Sequence, residues 1–183
     1  HGPVLLVANH LSWLDILVMH AARHCRFVSK SQVRHWPLVG PLATGAGTLY
    51  IERESRRDAM RVVHHMADSL RAGDVLAVFP EGTTSDGVDL LPFHANLLQA
   101  AIATGAPVQP AALRYRDAQA PVSAAVAWVG DATLVQSLWA VANADGLVVR
   151  VRWLEARATA HADRRALAEH LREDIGAALA DRA

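Results

Sequence analysis

The stretch Val75-Leu76-Ala77-Val78-Phe79-Pro80-Glu81-Gly82-Thr83-Thr84-Ser85 decides the fold. Its first five residues are apolar without alternation, which is typical of a central strand covered by helices on both faces. Polar residues follow at once, and open α/β sheets bind their ligands at the carboxyl ends of such strands. The stretch therefore predicts a buried strand over residues 75–79 that leads directly into a candidate functional loop.

Similar apolar runs alternate with helical patterns along the whole chain, which predicts an α/β fold with a mixed, largely parallel central sheet covered by helices. Further strands are predicted at residues 4–8, 26–29, 48–51, 108–115, 122–129 and 147–154. Helices are predicted at residues 13–22, 55–71, 95–104, 134–142 and 164–179. The apolar stretch 36–42 is interrupted by prolines, so it is not expected to form a regular helix.

Length and composition indicate one folded domain. The chain has 183 residues, of which 52% are hydrophobic, and it contains no repeat or linker, so we expect a single domain over residues 1–183. It begins with His1 rather than Met, and we expect it to be a fragment that lacks an N-terminal part. Because Cys25 is the single cysteine, an internal disulfide is excluded.

The charge balance excludes one class of function. The 18 basic residues are matched by 18 acidic ones, whereas a protein that neutralises nucleic-acid phosphates carries a basic excess. No nucleic-acid partner is therefore expected. A mean hydropathy of +0.14 is high for a freely soluble protein and suggests a membrane neighbour.

The segment Asn9-His10-Leu11-Ser12-Trp13-Leu14-Asp15 follows the first predicted strand. His10 and Asp15 are five residues apart, so they meet only if His10 lies in a loop before a helix with Ser12 as its N-cap. The imidazole can then fold onto the carboxylate, which gives a base able to take a proton from a hydroxyl. The alternative is that Asp15 merely complements the helix dipole and His10 fills the turn.

Two other segments end in polar groups. Residues 81–85, after the strand at 75–79, offer a carboxylate, hydroxyls and backbone N–H groups for a ligand or an oxyanion, although such residues also dominate ordinary turns. The segment Gly47-Thr48-Leu49-Tyr50-Ile51-Glu52-Arg53 ends in an arginine suited to bidentate capture of a phosphate or carboxylate. A solvated surface arginine is the alternative there.

These three segments, in this order, resemble the lysophospholipid acyltransferase family, to which bacterial 1-acylglycerol-3-phosphate acyltransferase belongs. Residues 9–15 look like its N-H-x-x-x-x-D signature, residues 47–53 like its second block and residues 79–85 like its F-P-E-G-T-x-S block. The strand Ala106-Pro107-Val108-Gln109-Pro110 is similar to the fourth block. The resemblance covers residues 4–115 and implies an acyltransferase-like single domain.

The resemblance implies transfer of a fatty acyl group from a thioester to the free hydroxyl of a lysophospholipid such as 1-acylglycerol-3-phosphate, giving phosphatidate. His10 would act as general base, and Asp15 would orient and stabilise the imidazolium. No cofactor and no metal are implied, because acyl-CoA or acyl-carrier protein serves as co-substrate. The partners would be these substrates and a membrane surface, at the cytoplasmic face of the bacterial inner membrane.

The resemblance also assigns substrate contacts. Glu81-Gly82-Thr83 would shape the acceptor and oxyanion region, while Arg53, with Lys30, would hold the anionic headgroup. Thr84, also expected at the acceptor site, stands where members that act on phosphatidate precursors often carry Arg. This departure leaves lyso-ornithine lipid, or another amino-acid lysolipid, as an alternative acceptor.

Other classes of function are compatible with this fold. A non-catalytic acyl-CoA or lipid-binding protein could keep the same fold, and a thioesterase or lipase would release the acyl group without an acceptor. Ser85 lacks the G-x-S-x-G context of a hydrolase nucleophile, since Gly82 lies three residues before it. His20 and His24 have metal-ligand spacing, but no third ligand follows at a matching interval, so no zinc site is expected.

Overall fold

In the computed structural model, which describes residues 2–37, 39–51 and 56–181, the chain forms one six-stranded sheet. The strands are β1 (Val4–Ala8), β2 (Arg26–Lys30), β3 (Leu49–Ile51), β4 (Val75–Val78), β5 (Val108–Arg116) and β6 (Val148–Trp153). Their order across the sheet is β3-β2-β4-β1-β5-β6, and neighbours are parallel except for the antiparallel pair β5 and β6. The predicted mixed, largely parallel sheet is confirmed.

Helices cover both faces of this sheet. They are α1 (Leu14–Ala22), α2 (Val39–Gly45), α3 (Arg56–Arg71), α4 (Gln99–Thr104), α5 (Leu134–Asn143) and α6 (Arg164–Ala180), with 3-10 helices at Ser31–His35 and Ala95–Leu98. The second 3-10 helix runs into α4, so the helix predicted at 95–104 is present in two parts. Within the described ranges, no helix combines the length and apolarity needed to cross a bilayer.

Two hydrophobic clusters, one on each face, explain the lack of alternation in the central strands. In β1, Leu5 and Val7 enter the cluster that α3, α4 and α6 cover, whereas Leu6 and Ala8 enter the cluster beneath α1 and α5. Successive strand residues point to opposite faces, and here both faces are core. β4 lies between β2 and β1, as expected of a doubly covered strand.

The strand predicted at residues 122–129 is wrong. This segment is irregular, and β6 pairs directly with β5 instead. Its apolar residues are buried by loop packing: Val126 is fully buried, and the backbone N–H of Trp128 donates to the Leu11 carbonyl at 2.9 Å. The β-branched pattern therefore reflected burial against the loop after β1, not strand pairing.

The expectation that residues 36–42 avoid regular helix is also wrong, because α2 begins at Val39. Pro41 lies in the first turn of this helix, where a backbone N–H has no intrahelical acceptor and a proline is tolerated. The N–H of Gly40 donates to the Trp36 carbonyl at 2.9 Å, which joins the helix to the preceding turn. The prolines therefore open this helix rather than prevent it.

Candidate active site

The site lies where β1 and β4 end side by side. The two strands are parallel, with Val7 opposite Val78, so the loop after β1 meets the loop after β4. The N–H of His10 donates to Glu81 Oε1 at 2.8 Å, and the N–H of Ser85 donates back to the His10 carbonyl at 2.8 Å. The backbone of His10 is thus held between the two ends of the second loop.

His10 and Asp15 meet as the sequence predicted. Their Nδ1 and Oδ2 atoms are 2.8 Å apart, His10 is 18% exposed, and Asp15 is inaccessible to solvent. Because a carboxylate only accepts hydrogen bonds, the proton of the neutral imidazole is assigned to Nδ1, which leaves Nε2 as the basic nitrogen. The geometry is that of an oriented base, and the catalytic roles of the two residues stay predictions.

The carboxylate of Asp15 has three further donors. Oδ2 accepts from the N–H groups of Leu11 at 2.6 Å and Ser12 at 2.9 Å, while Oδ1 accepts from the Tyr115 hydroxyl at 2.7 Å. The predicted N-cap at Ser12 is wrong by one residue, because Trp13 stands at the N-cap of α1. The Ser12 hydroxyl instead accepts from the Leu14 N–H at 3.1 Å. These donors offset the cost of burying the charge.

Tyr115 is a residue of the candidate site that sequence reasoning missed. It is 1% exposed, and burial raises the pKa of its hydroxyl, as does the neighbouring Asp15 carboxylate. The hydroxyl therefore remains a donor to Asp15. The available signal was a tyrosine in a predicted strand of the sheet, since a buried tyrosine hydroxyl needs a partner, but no local pattern identifies that partner across 100 positions.

Aromatic packing fixes the plane of the imidazole. The His10 ring stacks on Phe79 with centroids 4.1 Å apart and an angle of 7° between the planes. Phe79 in turn lies against Phe27, at 5.6 Å between centroids. The base is therefore restrained by the Asp15 bond at one edge and by an aromatic ring across its face.

Glu81 lies behind the site rather than in its opening. It is 3% exposed, and its two oxygens accept from the N–H groups of His10 at 2.8 Å and Leu91 at 2.9 Å. Burial raises the pKa of this carboxyl, and the two N–H groups lower it in partial compensation. The geometry gives Glu81 a bracing role on the His10 loop, and its predicted part in shaping the acceptor region stays a prediction.

A pocket of about 350 Å³ opens in front of His10. The predicted residues Gly82, Thr83 and Thr84 line it on one side, and Trp13, Trp36 and Trp128 contribute to an otherwise largely apolar wall. The hydroxyl of Thr84 donates to the Trp128 carbonyl, which ties the loop after β4 to the irregular segment before α5. The pocket thus combines a polar edge at the base with apolar surface beyond it.

Two predicted substrate contacts cannot be placed. Arg53 lies outside the described residues, and of Lys30 only the backbone is described, at the end of β2. Both stay predictions. In the part of the chain that the structure describes, no three His, Cys, Asp or Glu side chains gather as a metal site.

A His–Asp pair that faces a pocket at the carboxyl edge of an α/β sheet is an arrangement found in enzymes that use a histidine base. The model of the Acyltransferase family matches residues 1–114, and the chain belongs to this family. The protein is therefore an acyltransferase. The sequence resemblance and the α/β fold predicted with it are confirmed.

Named relatives agree with this assignment. The chain is 39% identical over 179 residues to 1-acyl-sn-glycerol-3-phosphate acyltransferase of Neisseria meningitidis serogroup B, covering 97% of this chain and 70% of that protein. It is also 39% identical over 182 residues to lyso-ornithine lipid O-acyltransferase of Pseudomonas aeruginosa, covering 97% and 68%. The crystal structure of the 1-acyl-sn-glycerophosphate acyltransferase of Thermotoga maritima shares the fold, with a TM-score of 0.67 at 20% identity over 98% of this chain and 66% of that one.

Proposed function

We propose that this protein transfers a fatty acyl group from an acyl thioester to the free hydroxyl of a lysolipid. The observation that carries the proposal is the His10–Asp15 pair, at 2.8 Å, with His10 facing a largely apolar pocket. Such a pair activates a hydroxyl, and the pocket offers apolar surface to an acyl chain. The named relatives act on lysolipids, which supports the same acceptor class here.

In the proposed reaction, Nε2 of His10 removes the proton of the acceptor hydroxyl as its oxygen attacks the thioester carbonyl carbon. The new C–O bond forms, the C–S bond breaks, and the imidazolium returns the proton to the leaving thiolate. Asp15 stabilises the transient imidazolium through Nδ1, and it is already desolvated and fully hydrogen-bonded before the substrate arrives. No acyl-enzyme forms, because the hydroxyl attacks the thioester directly.

The proposed acceptor is a lysophospholipid such as 1-acylglycerol-3-phosphate, with phosphatidate as the product. Arg53 and Lys30 would hold its phosphate, and Gly82, Thr83 and Thr84 would border its glycerol at the polar edge of the pocket. Acyl-CoA or acyl-carrier protein would donate the acyl group, and the reaction needs no further cofactor. The proposed location is a membrane surface at the cytoplasmic face of the bacterial inner membrane, where lysolipid acceptors reside.

Lyso-ornithine lipid is the second candidate acceptor. Thr84 occupies the position where a phosphate-binding arginine is expected, and its hydroxyl is engaged by the Trp128 carbonyl. A headgroup with less negative charge needs fewer cations, so this substitution favours an amino-acid lysolipid. One acyl thioester tested with lysophosphatidate and with lyso-ornithine lipid in parallel separates the two, since the preferred acceptor has the higher kcat/KM.

The mechanism is tested with His10→Ala. Loss of a general base lowers turnover about 10²–10⁴-fold, so thiol release from acyl-CoA in the presence of lysolipid should fall by that factor while the circular dichroism spectrum is kept. His64→Ala, at an exposed histidine on α3, is the matched control and should retain full activity. Near-normal turnover by His10→Ala overturns the mechanism.

The same assay separates the other classes of function. Thiol release without an added acceptor indicates a thioesterase, and no release under any condition, with retained acyl-CoA binding, indicates a non-catalytic lipid-binding protein. Acyl transfer requires release that depends on the lysolipid and yields the diacyl product in equal amount.

A further inference from the structure

The two helical layers differ sharply in charge. α3 and α6, on one face of the sheet, carry twelve Asp, Glu, Lys or Arg residues in 33 positions. α1 and α5, on the other face, carry one in 19 positions, and that residue is the buried Asp15. A solvated helix normally carries charges on its outer side, so the layer formed by α1 and α5 lacks the surface expected against water.

Large apolar side chains occupy that outer side. Val135 is 74% exposed and Trp139 is 72% exposed; they lie four residues apart on α5 and therefore on the same side of the helix. Leu17 on α1 is 39% exposed. We call these exposed apolar side chains of α1 and α5, Leu17, Val135 and Trp139, the α1–α5 face.

Each polar side chain of α5 makes at least one hydrogen bond within the protein, and Ser137 is buried. Gln136 accepts from the N–H and hydroxyl of Thr133 in a capping box, Ser137 accepts from the buried Trp13 indole N–H at 2.9 Å, and Asn143 donates to the Trp139 carbonyl at 2.7 Å. Part of the hydrogen-bonding capacity of α5 is therefore used inside the protein, which lowers the cost of removing this surface from water.

The α1–α5 face adjoins the candidate active site. α1 carries Asp15, and Ile16 on the same helix lines the pocket together with Gly130 and Ala132, which lie just before α5. A substrate that arrives from a surface covering α1 and α5 would therefore reach the pocket without crossing the charged layer.

We propose that the α1–α5 face rests on the lipid bilayer, with Trp139 and Val135 inserted at the interface. This inference rests on the proposed function, because a lysolipid acceptor resides in that layer. Tryptophan and branched apolar side chains are favoured at this depth. The bilayer removes these apolar side chains from water, and this contact orients the pocket toward the lysolipid.

The size of the face argues against a second copy of this chain as the occupant. α5 has ten residues, so its outer side is about 15 Å long and about 10 Å wide. Even with α1 added, this is well below the roughly 800 Å² per partner of a standard interface. A bilayer needs no such minimum, because a few inserted side chains suffice for reversible binding.

The mode of binding follows from the charges. The exposed carboxylates Asp131 and Asp145 flank α5, and α5 itself carries no cation. Attraction to anionic lipid therefore contributes little, and binding should depend on apolar contact. We expect similar affinities for phosphatidylcholine vesicles with and without phosphatidylglycerol, and little change with added salt.

The test measures vesicle co-sedimentation of the 183-residue chain and of Val135→Glu, Trp139→Glu and the double variant, with Met60→Glu as control. Met60 is 65% exposed on α3, so the control changes an equally exposed apolar residue in the charged layer. Each α5 substitution should lower the partition coefficient about tenfold, given the free energy of burying one large apolar side chain. Met60→Glu should bind like the parent chain.

Several outcomes overturn the proposal: no binding of the parent chain, equal binding by Trp139→Glu and Met60→Glu, or a dimer in the absence of lipid that Trp139→Glu dissociates. Activity on a short-chain lysolipid dispersed as monomers separates this proposal from the proposed function. Trp139→Glu should keep that activity and lose activity on vesicle-bound acceptor. A parent chain that binds vesicles through this face but transfers no acyl group contradicts the proposed function alone.

Discussion

The hydroxyl of Tyr115 donates to Oδ1 of Asp15 at 2.7 Å, and His10 bonds to Oδ2 of the same carboxylate. This contact joins the end of β5 to the first turn of α1 inside the core. Because both side chains are buried, the carboxylate has no water to replace a lost donor. Tyr115 therefore positions the candidate catalytic pair without touching the pocket.

We expect Tyr115→Phe to lower kcat about tenfold and leave KM nearly unchanged, since Tyr115 does not line the pocket. Loss of a hydrogen bond to a buried charged group should also lower the free energy of unfolding by about 1.5–3 kcal/mol. Steady-state kinetics and chemical denaturation measure the two effects.

Tyr50→Phe is the matched control for this change. The Tyr50 hydroxyl bonds to Thr44 at 2.8 Å and to the Gly40 carbonyl at 3.3 Å, away from Asp15. It should leave kcat unchanged. If Tyr115→Phe loses stability but keeps kcat, Tyr115 is a structural residue only.

The second prediction concerns Glu81, whose carboxylate accepts a hydrogen bond from the backbone of the His10 loop. Glu81→Ala leaves the partly buried N–H groups of His10 and Leu91 without their acceptors, so we expect a loss of about 1–3 kcal/mol in the free energy of unfolding. Activity should fall as well, because the loop that carries the base is freed. Unchanged stability, measured by urea denaturation, would contradict the bracing role.

The pH dependence of stability tests the burial of Glu81 separately. Its pKa in the folded state is raised, so the protonated form is favoured by folding and the stability that it contributes is lost as pH rises through that pKa. Glu81→Gln cannot ionise and keeps one acceptor. The melting temperature of Glu81→Gln, relative to the parent chain, should therefore improve as pH rises from about 4 to about 7. A constant difference across this range would show that the carboxyl is not desolvated.

The sheet and the His10–Asp15 pair were predictable because both rest on local rules. Unbroken apolar runs mark doubly covered strands, and the spacing from His10 to Asp15 fits one loop and one helical turn. The Acyltransferase motifs then connected the loops after β1 and β4 across about 70 positions. The contacts of Tyr115 and Trp128 were not predicted, because no local pattern indicates which distant carboxylate or carbonyl a buried polar group will bond to.

The strand prediction at residues 122–129 failed for the same reason, namely that a local pattern does not identify the distant partner. β-Branched residues fit any buried extended segment, and nothing in the sequence separates a strand from a loop that packs on a neighbouring loop. Here the N–H of Trp128 bonds to Leu11 rather than to a strand, and Val126 fills the core beneath α1 and α5. The segment forms a wall of the pocket, a role that its composition does not reveal.

A third prediction concerns that wall. The Thr84 hydroxyl donates to the Trp128 carbonyl. Thr84→Val keeps the shape of the side chain and removes this bond, which costs about 1 kcal/mol of stability. We expect KM for the lysolipid to rise several-fold with kcat little changed, because the pocket wall loosens while His10 stays in place. A fall in kcat at constant KM, measured by initial rates, would instead place Thr84 at the reacting atoms.

The last prediction concerns Gly40, a residue of α2 that lies against the 3-10 helix on the far side of the pocket. A Cβ at Gly40 would lie 2.3 Å from the backbone carbonyl oxygen of Arg34, a contact that backbone movement alone can relieve. The helix Ser31–His35 would have to shift, and with it Gln32 and Val33, which line the pocket. We therefore expect Gly40→Ala to lower the free energy of unfolding by about 1–3 kcal/mol and to raise KM.

Gly45→Ala is the matched control, since Gly45 lies in α2 together with Gly40. A Cβ at Gly45 meets no atom within 4 Å, and alanine favours helix over glycine, so this variant should be as stable as the parent chain or slightly more stable. Thermal denaturation of the two variants side by side distinguishes the close approach at Gly40 from a general effect of glycine replacement in α2. Equal melting temperatures for both would mean that the 3-10 helix moves freely and does not define the far wall of the pocket.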